Sequence, residues 1–155
     1  MKNQSAQVLW DEFVAKYPAY RNMRVNRVFH FYDTEEAANK AVYLVGKDVK
    51  RAYSQALLKI QLEQESIPHI GSVAIVTDFA GNAKYVLQTT SMKFLPLFSM
   101  HEEHARLEAE GDKSLGYWRK TQWQVWARQL AKHGRIPKVP MMIVFERFER
   151  LYPHQ

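Results

Sequence analysis

The chain has 155 residues, a net charge of +6, 46% hydrophobic side chains and no cysteine. Length and apolar content suit one packed domain over residues 1–155. The missing thiols exclude a disulfide framework and cysteine-based zinc sites, and no stretch is apolar enough to cross a membrane. The first residues, Met1-Lys2-Asn3-Gln4, lack the apolar run of a secretory signal, so a cytoplasmic protein is expected.

Ser5 to about Tyr17 reads as an amphipathic helix, because Leu9, Trp10, Phe13, Val14 and Tyr17 recur at helical spacing. Pro18 ends it. This helical extension, about residues 1–30, is expected to cover one end of a barrel. Arg27 to Tyr32 is short and strand-like. Asp33 and Thr34 offer a cap for a second helix, and Glu35 and Glu36 suit the positive end of its dipole. Gly46 is its natural C-cap. Ser54 to Glu63 reads as a third helix with Leu57, Leu58 and Leu62 inward. Ile67 to Gly71 is a loop. Ser72 to Asp78 is a strand rich in β-branched residues, Ala80-Gly81-Asn82 a turn, and Lys84 to Thr90 the return strand.

Ser114 is the expected N-cap of the long basic helix. Leu115, Trp118, Val125, Trp126 and Leu130 share one of its faces, and Arg119 falls inside that face. A buried guanidinium needs a carboxylate, so Arg119 is expected to pair with Glu108, Glu110 or Asp112. Trp118, Trp123 and Trp126 are all expected to pack, with Trp123 near the edge, where a base could stack. From Lys113 to Phe145 there is no Asp or Glu, while Lys113, Arg119, Lys120, Arg128, Lys132, Arg135 and Lys138 lie there. Such clustering fits a polyanionic partner or an ordinary solvated face. Gly134 and Pro137 close the helix, and Met141 to Leu151 reads as a last strand.

The segment Ala105, Glu108, Glu110, Gly111, Asp112, Ser114, Leu115, Trp118 and Arg119 resembles the signature of the ASCH family. The resemblance runs from about Thr34 to Tyr152. Ala109 departs from the family glycine, and Gln122 stands where many members have histidine. The likeness implies an α+β fold: a small, PUA-like, mostly antiparallel β-barrel flanked by helices. It also implies RNA or nucleotide (or nucleoside) binding, with a ribonuclease as one enzymatic form. The alternatives are an amidohydrolase acting on acylated nucleosides and a non-catalytic RNA-binding or coregulator module. Whether the chain is an enzyme stays open at this stage.

In the family, the turn after the second helix carries an active-site lysine followed by a threonine. Aligned without a gap from Gly46, those places fall on Asp48 and Arg51; aligned backward from Ile67-Pro68, they fall on Lys50 and Tyr53. The second register is preferred because it keeps a lysine near a hydroxyl. The candidate catalytic set is then Lys50, Tyr53, Ser54 and Glu108, with Glu108 on the family's glutamate. A lysine in a barrel mouth can act as a base, a hydroxyl can attack once its proton is taken, and a glutamate can orient the lysine or relay a proton. The bland alternative is that Glu108 only pairs with a cation. The expected nucleic-acid contacts are Lys47, Arg51, Arg119, Lys120, Arg128 and Lys132.

No phosphate-binding loop, H-E-x-x-H pair or G-x-S-x-G elbow occurs. His101 and His104 could share a helical face, but no third ligand is evident. Neither a metal nor a cofactor is expected.

Overall fold

The computed structural model describes residues 1–154. Helix α1 (Gln4–Lys16) is capped by Asn3, whose side chain accepts from the Ala6 N–H. The same Asn3 donates to the Gly81 carbonyl at 2.7 Å, and the Ala83 N–H donates to Ser5 Oγ at 2.9 Å. These bonds fix α1 to a distant turn. The helix then lays Ala6, Leu9, Trp10 and Phe13 over Val73, Ile75 and Val86.

Strand β1 (Val25–Phe29) precedes helix α2 (Glu35–Gly46), which Thr34 caps as its side chain accepts from Ala37. Strand β2 (Ala52–Ala56) runs directly into the short helix α3 (Leu57–Leu62). The expected helix from Ser54 is thus corrected: Ser54, Gln55 and Ala56 are strand, paired with Phe145, Val144 and Ile143. A six-residue segment has little helical preference to oppose that tertiary pairing. Strands β3 (Val73–Thr77) and β4 (Ala83–Pro96) form the expected hairpin. Helix α4 (Glu102–Glu108), helix α5 (Leu115–Ala131) and strand β5 (Met142–Tyr152) complete the chain.

The five strands form one sheet in the order β1-β3-β4-β5-β2. Among the described residues only β1 with β3 is parallel. All of β3 is buried, since α1 covers one face and the main core the other. That core gathers Val42 and Val45 of α2 with Trp118 and Trp126 of α5 against Phe145 and Phe148.

The expected barrel is corrected: the sheet curls strongly but does not close. Arg27 of β1 reaches Glu146 of β5 across two intervening strands, which requires the curl. Among the described residues, however, β1 and β2 share no backbone ladder. Across the gap Phe29 stacks on Tyr53, with ring centroids 6.1 Å apart. Strand β2 is only five residues long, and its immediate turn into α3 carries the backbone away before a ladder could form.

Two glycine expectations divide. Gly134 takes a left-handed φ of +68° beyond α5. Gly46 does not: the left-handed residue after α2 is Asp48, at φ 58°. Gly46 instead allows a close approach, because a Cβ there would lie 2.2 Å from the Tyr85 hydroxyl. Among the described residues, no helix is long and apolar enough to cross a membrane.

Candidate functional site

Lys50 is the centre of a buried polar cluster. Its side chain is fully buried at the end of the loop from α2 to β2. Nζ lies 3.0 Å from Glu110 Oε2, 3.7 Å from Glu108 Oε1 and 3.3 Å from the Tyr32 hydroxyl. It also faces the rings of Phe31, Tyr32 and Tyr53 at 5.2 to 5.7 Å. A buried ammonium needs such compensation, and here carboxylates and aromatic faces supply it together.

Glu108 closes α4, and Ala109 turns the chain in a left-handed conformation, φ 61°. That turn lets Glu108 and Glu110 approach Lys50 from one side. Glu108 Oε2 accepts from Ser54 Oγ at 2.6 Å and from Trp118 Nε1. Glu110 accepts from the Tyr32 hydroxyl. Burial pushes the Glu108 carboxyl above the usual carboxylate range, against the pull of Lys50, Ser54 and Trp118. Burial, then Glu108 and Glu110, push the Tyr32 phenol well above its ordinary value. Burial also raises the Tyr53 phenol.

Three of the four expected catalytic residues therefore converge: Lys50, Ser54 and Glu108. Tyr53 supplies a ring face to Lys50, while its hydroxyl accepts from the Tyr32 N–H at 3.4 Å. The hydroxyl beside the lysine belongs to Tyr32, which sequence reasoning missed. Tyr32 lies 18 residues before Lys50, and no spacing rule links them. Gln122 joins the cluster from α5: it is buried and approaches the Tyr32 hydroxyl at 3.5 Å. Glu108 Oε1 and Gln122 Oε1 are buried without a hydrogen-bond donor. Asp48, the other register's choice, is exposed and pairs with Arg150 at 2.9 Å.

Beside the cluster, at the unpaired edges of β1 and β2, lies a cleft of about 760 Å³. Arg27, Phe29, Tyr53 and Gln55 form its strand walls. Lys59 and Glu63 line it from α3 and the residue after it; Gln129 and Lys132 line it from the end of α5. His30 and Phe79 add an aromatic pair, 5.2 Å between ring centroids. Tyr32 and Tyr53 line the cleft and also touch Lys50, so their rings separate the lysine from the opening. Arg27 is not a free cation there, since it pairs with buried Glu146 and lies 4.2 Å over the Phe29 ring.

The expected nucleic-acid contacts are scattered. Lys132 lines the main cleft, and Arg51 lines a separate one. Lys47 is exposed, with Nζ over the Tyr43 ring. Arg128 is committed to Asp33 by two bonds of 2.8 and 2.9 Å, which lower the Asp33 pKa. Lys120 is exposed on α5. So is Arg119, which corrects the expected buried ion pair. The start of α5 meets the core through Leu115 and Trp118, while Gly116, Tyr117, Arg119 and Lys120 stay exposed. Glu108 instead takes its donors from Ser54 and Trp118 and its counter-charge from Lys50. Trp123 is a further correction, 39% exposed rather than packed, while Trp118 and Trp126 are buried.

A family model described as ASCH domain matches residues 27–152. The fold matches a crystal structure of an ASCH domain from Lactobacillus crispatus JV V101 with a TM-score of 0.89. The alignment covers 97% of this chain and 96% of that one at 22% identity. A protein of Enterococcus faecalis V583 matches with a TM-score of 0.86 and 24% identity, over 96% of this chain and 88% of that one. No curated protein matches the sequence.

Proposed function

The chain belongs to the ASCH domain family, and on that premise we propose that the main cleft binds RNA or a nucleotide. One observation carries the reading: an open cleft of about 760 Å³ combines aromatic walls with Lys59 and Lys132, directly beside the buried Lys50 cluster. That volume lies within the range of small-molecule sites, roughly 300–1,000 Å³. Aromatic faces accept bases of any sequence, and lysines at the mouth attract phosphate. Among the described residues no carboxylate pairs with Lys132, so its ammonium is available. Lys59 is shared with Glu65 at 2.6 Å and Glu63 at 3.8 Å, which an incoming phosphate must outcompete.

The test is a fluorescence-anisotropy titration with single-stranded RNA and with mononucleotides, over a series of salt concentrations. Lys59→Gln with Lys132→Gln should weaken binding and flatten the salt dependence by about two phosphate contacts. Equal affinity and slope in the double variant would remove the cleft from the reading.

A second reading is hydrolysis, as a ribonuclease or as an amidohydrolase on acylated nucleosides. The proximity of Lys50, Glu108 and Ser54 favours it, with Glu108 bridging lysine and hydroxyl. In that mechanism Tyr32 and Tyr53 move aside to admit substrate. Ser54 Oγ attacks the carbonyl carbon or phosphorus and gives its proton to Glu108. The bond to the leaving amine or 5′-oxygen breaks as Glu108 returns the proton to that group, and Lys50 stabilises the charge that develops. Water then hydrolyses the ester left on Ser54. Lys50→Ala and Glu108→Gln should then abolish turnover and leave RNA affinity nearly unchanged. Tight RNA binding with no turnover of either substrate class assigns the domain to the non-catalytic reading.

A further inference from the structure

A second cleft, about 340 Å³, lies on the far side of Lys50, between the loop after α2 and strand β5. Its lining cations are Lys50, which Glu108 and Glu110 already hold, and Arg51, Arg147 and Arg150; Asp48 and Glu149 are its carboxylates. Among the arginines Arg150 is the unusual one, because its side chain is only 7% exposed. Its three nitrogens are unequally used. Nη1 donates to the Pro153 carbonyl at 2.8 Å, Nη2 donates to Asp48 at 2.9 Å, and Nε is buried without an acceptor. A buried guanidinium with an unspent donor is costly, and an oxyanion supplies the missing acceptors.

Asp48 is placed for this pairing by its left-handed backbone, which is uncommon outside glycine, asparagine and aspartate. Its side chain is nevertheless 58% exposed, so the pair sits at a surface where another anion can replace it. The neighbours are less committed. Arg51 spends Nε on the Asp48 carbonyl at 3.0 Å, and among the described residues Arg147 pairs with no carboxylate. Thr90 adds a hydroxyl from a bulge: the β4 register steps from Thr89 to Ser91 while β5 advances one residue, leaving Thr90 as the extra residue.

We infer that this cleft is a phosphate site, with Arg51, Arg147 and Arg150 as donors and Asp48 as an internal competitor that the phosphate displaces. Planar guanidinium groups meet two oxygens of one phosphate, a geometry that a lysine cluster cannot offer. The source is a free phosphate ester or the backbone of a bound RNA.

The competitor gives the test a sign that an ordinary basic surface would not give. Inorganic phosphate, a nucleoside 5′-monophosphate and a single-stranded RNA are each titrated into the full chain at constant ionic strength. Asp48→Asn should bind phosphate several-fold more tightly than wild type. Arg51→Ala with Arg147→Ala should bind at least about tenfold more weakly, the scale of one charge-assisted hydrogen bond. Both arginines are exposed, so that variant keeps the fold, and circular dichroism verifies it. A loss seen with phosphate and mononucleotide identifies a small phosphate ester; a loss confined to RNA identifies the backbone. Unchanged affinities in the arginine variant, or weaker binding in Asp48→Asn, would overturn the proposal. Lys59→Gln with Lys132→Gln, tested in parallel, reports the main cleft separately.

Discussion

Lys50 and Arg119 are both cations close to the acidic turn of residues 108–112, and they end in opposite environments. Lys50 is enclosed, with Glu108, Glu110 and three aromatic rings around it. Arg119, placed by helical spacing on the apolar face of α5, is exposed. The difference teaches that a residue's angle on a helix does not decide its burial. The helix must also have something to pack against at that height. At the start of α5 the core is met by Leu115 and Trp118, and Arg119 on the flank beside them has no such partner, whereas the side chain of Lys50 is enclosed between Glu108 and Glu110.

The largest effect expected from that contrast is at Glu108. Glu108→Ala removes the acceptor of Ser54 and Trp118 and one of the carboxylates around Lys50. It should cost about 3–5 kcal/mol in urea unfolding, the usual loss on breaking a buried pair from one side. A cost below about 1 kcal/mol, typical of exposed pairs, would show that the cluster is solvated.

A pH series sharpens the comparison further. Glu108 has a raised folded-state pKa, so its contribution is full below the ordinary carboxylate range and is lost as pH rises through the raised value. Asp33 has a lowered pKa, through Arg128, and behaves oppositely: its contribution is present above the ordinary range and is lost as pH falls. Wild type minus Asp33→Asn stability should therefore shrink on acidification. Wild type minus Glu108→Gln stability should grow through the same range. At the alkaline end, Tyr32 and Tyr53 have raised pKa values, so stability they contribute below the ordinary phenol range fades as pH climbs through those values. In an ultraviolet titration of the native state both phenols should stay protonated at pH values where exposed tyrosines ionise. Two phenols ionising with the exposed set would contradict their burial.

Ala109 offers a smaller, stabilising change. It is an alanine in the left-handed region, at φ 61°, where the ASCH signature has glycine. Ala109→Gly should raise stability by about 0.5–1 kcal/mol, less than the full left-handed penalty because a buried methyl is lost. Arg119→Ala is the smallest, under about 1 kcal/mol, since an exposed side chain leaves no stranded charge. A larger loss would restore the buried pair suggested by helical spacing.

Much of the fold was legible because local signals agreed with tertiary demands. Thr34 and Ser114 cap the helices that their hydroxyls announced. The β-branched run at residues 73–77 became a strand buried on both faces. Strand β2 is hidden in the sequence because Ser54 to Glu63 has helical apolar spacing, and its pairing with β5 makes Ser54 to Ala56 extended. The open edge was invisible for a similar reason, because closure depends on where α3 leaves the sheet.

The site was legible where charge and resemblance coincided, at Lys50 and Glu108. It was not legible at Tyr32, whose hydroxyl reaches Lys50 only because the chain turns through a left-handed φ of 59° before α2. Nor could sequence separate the cations of the long basic segment. Arg128 is spent on Asp33, Lys132 opens into the main cleft, and Arg119 and Lys120 are merely exposed.

The most direct test of the binding reading compares the cleft with that exposed basic face. Backbone amide shifts are followed by NMR as single-stranded RNA is added to the full chain. The account expects the largest shifts at His30, Phe79, Gln129 and Lys132, with small ones at Arg119, Lys120 and Trp123. Shifts confined to the Arg119–Trp123 surface, with the cleft residues unmoved, would contradict it.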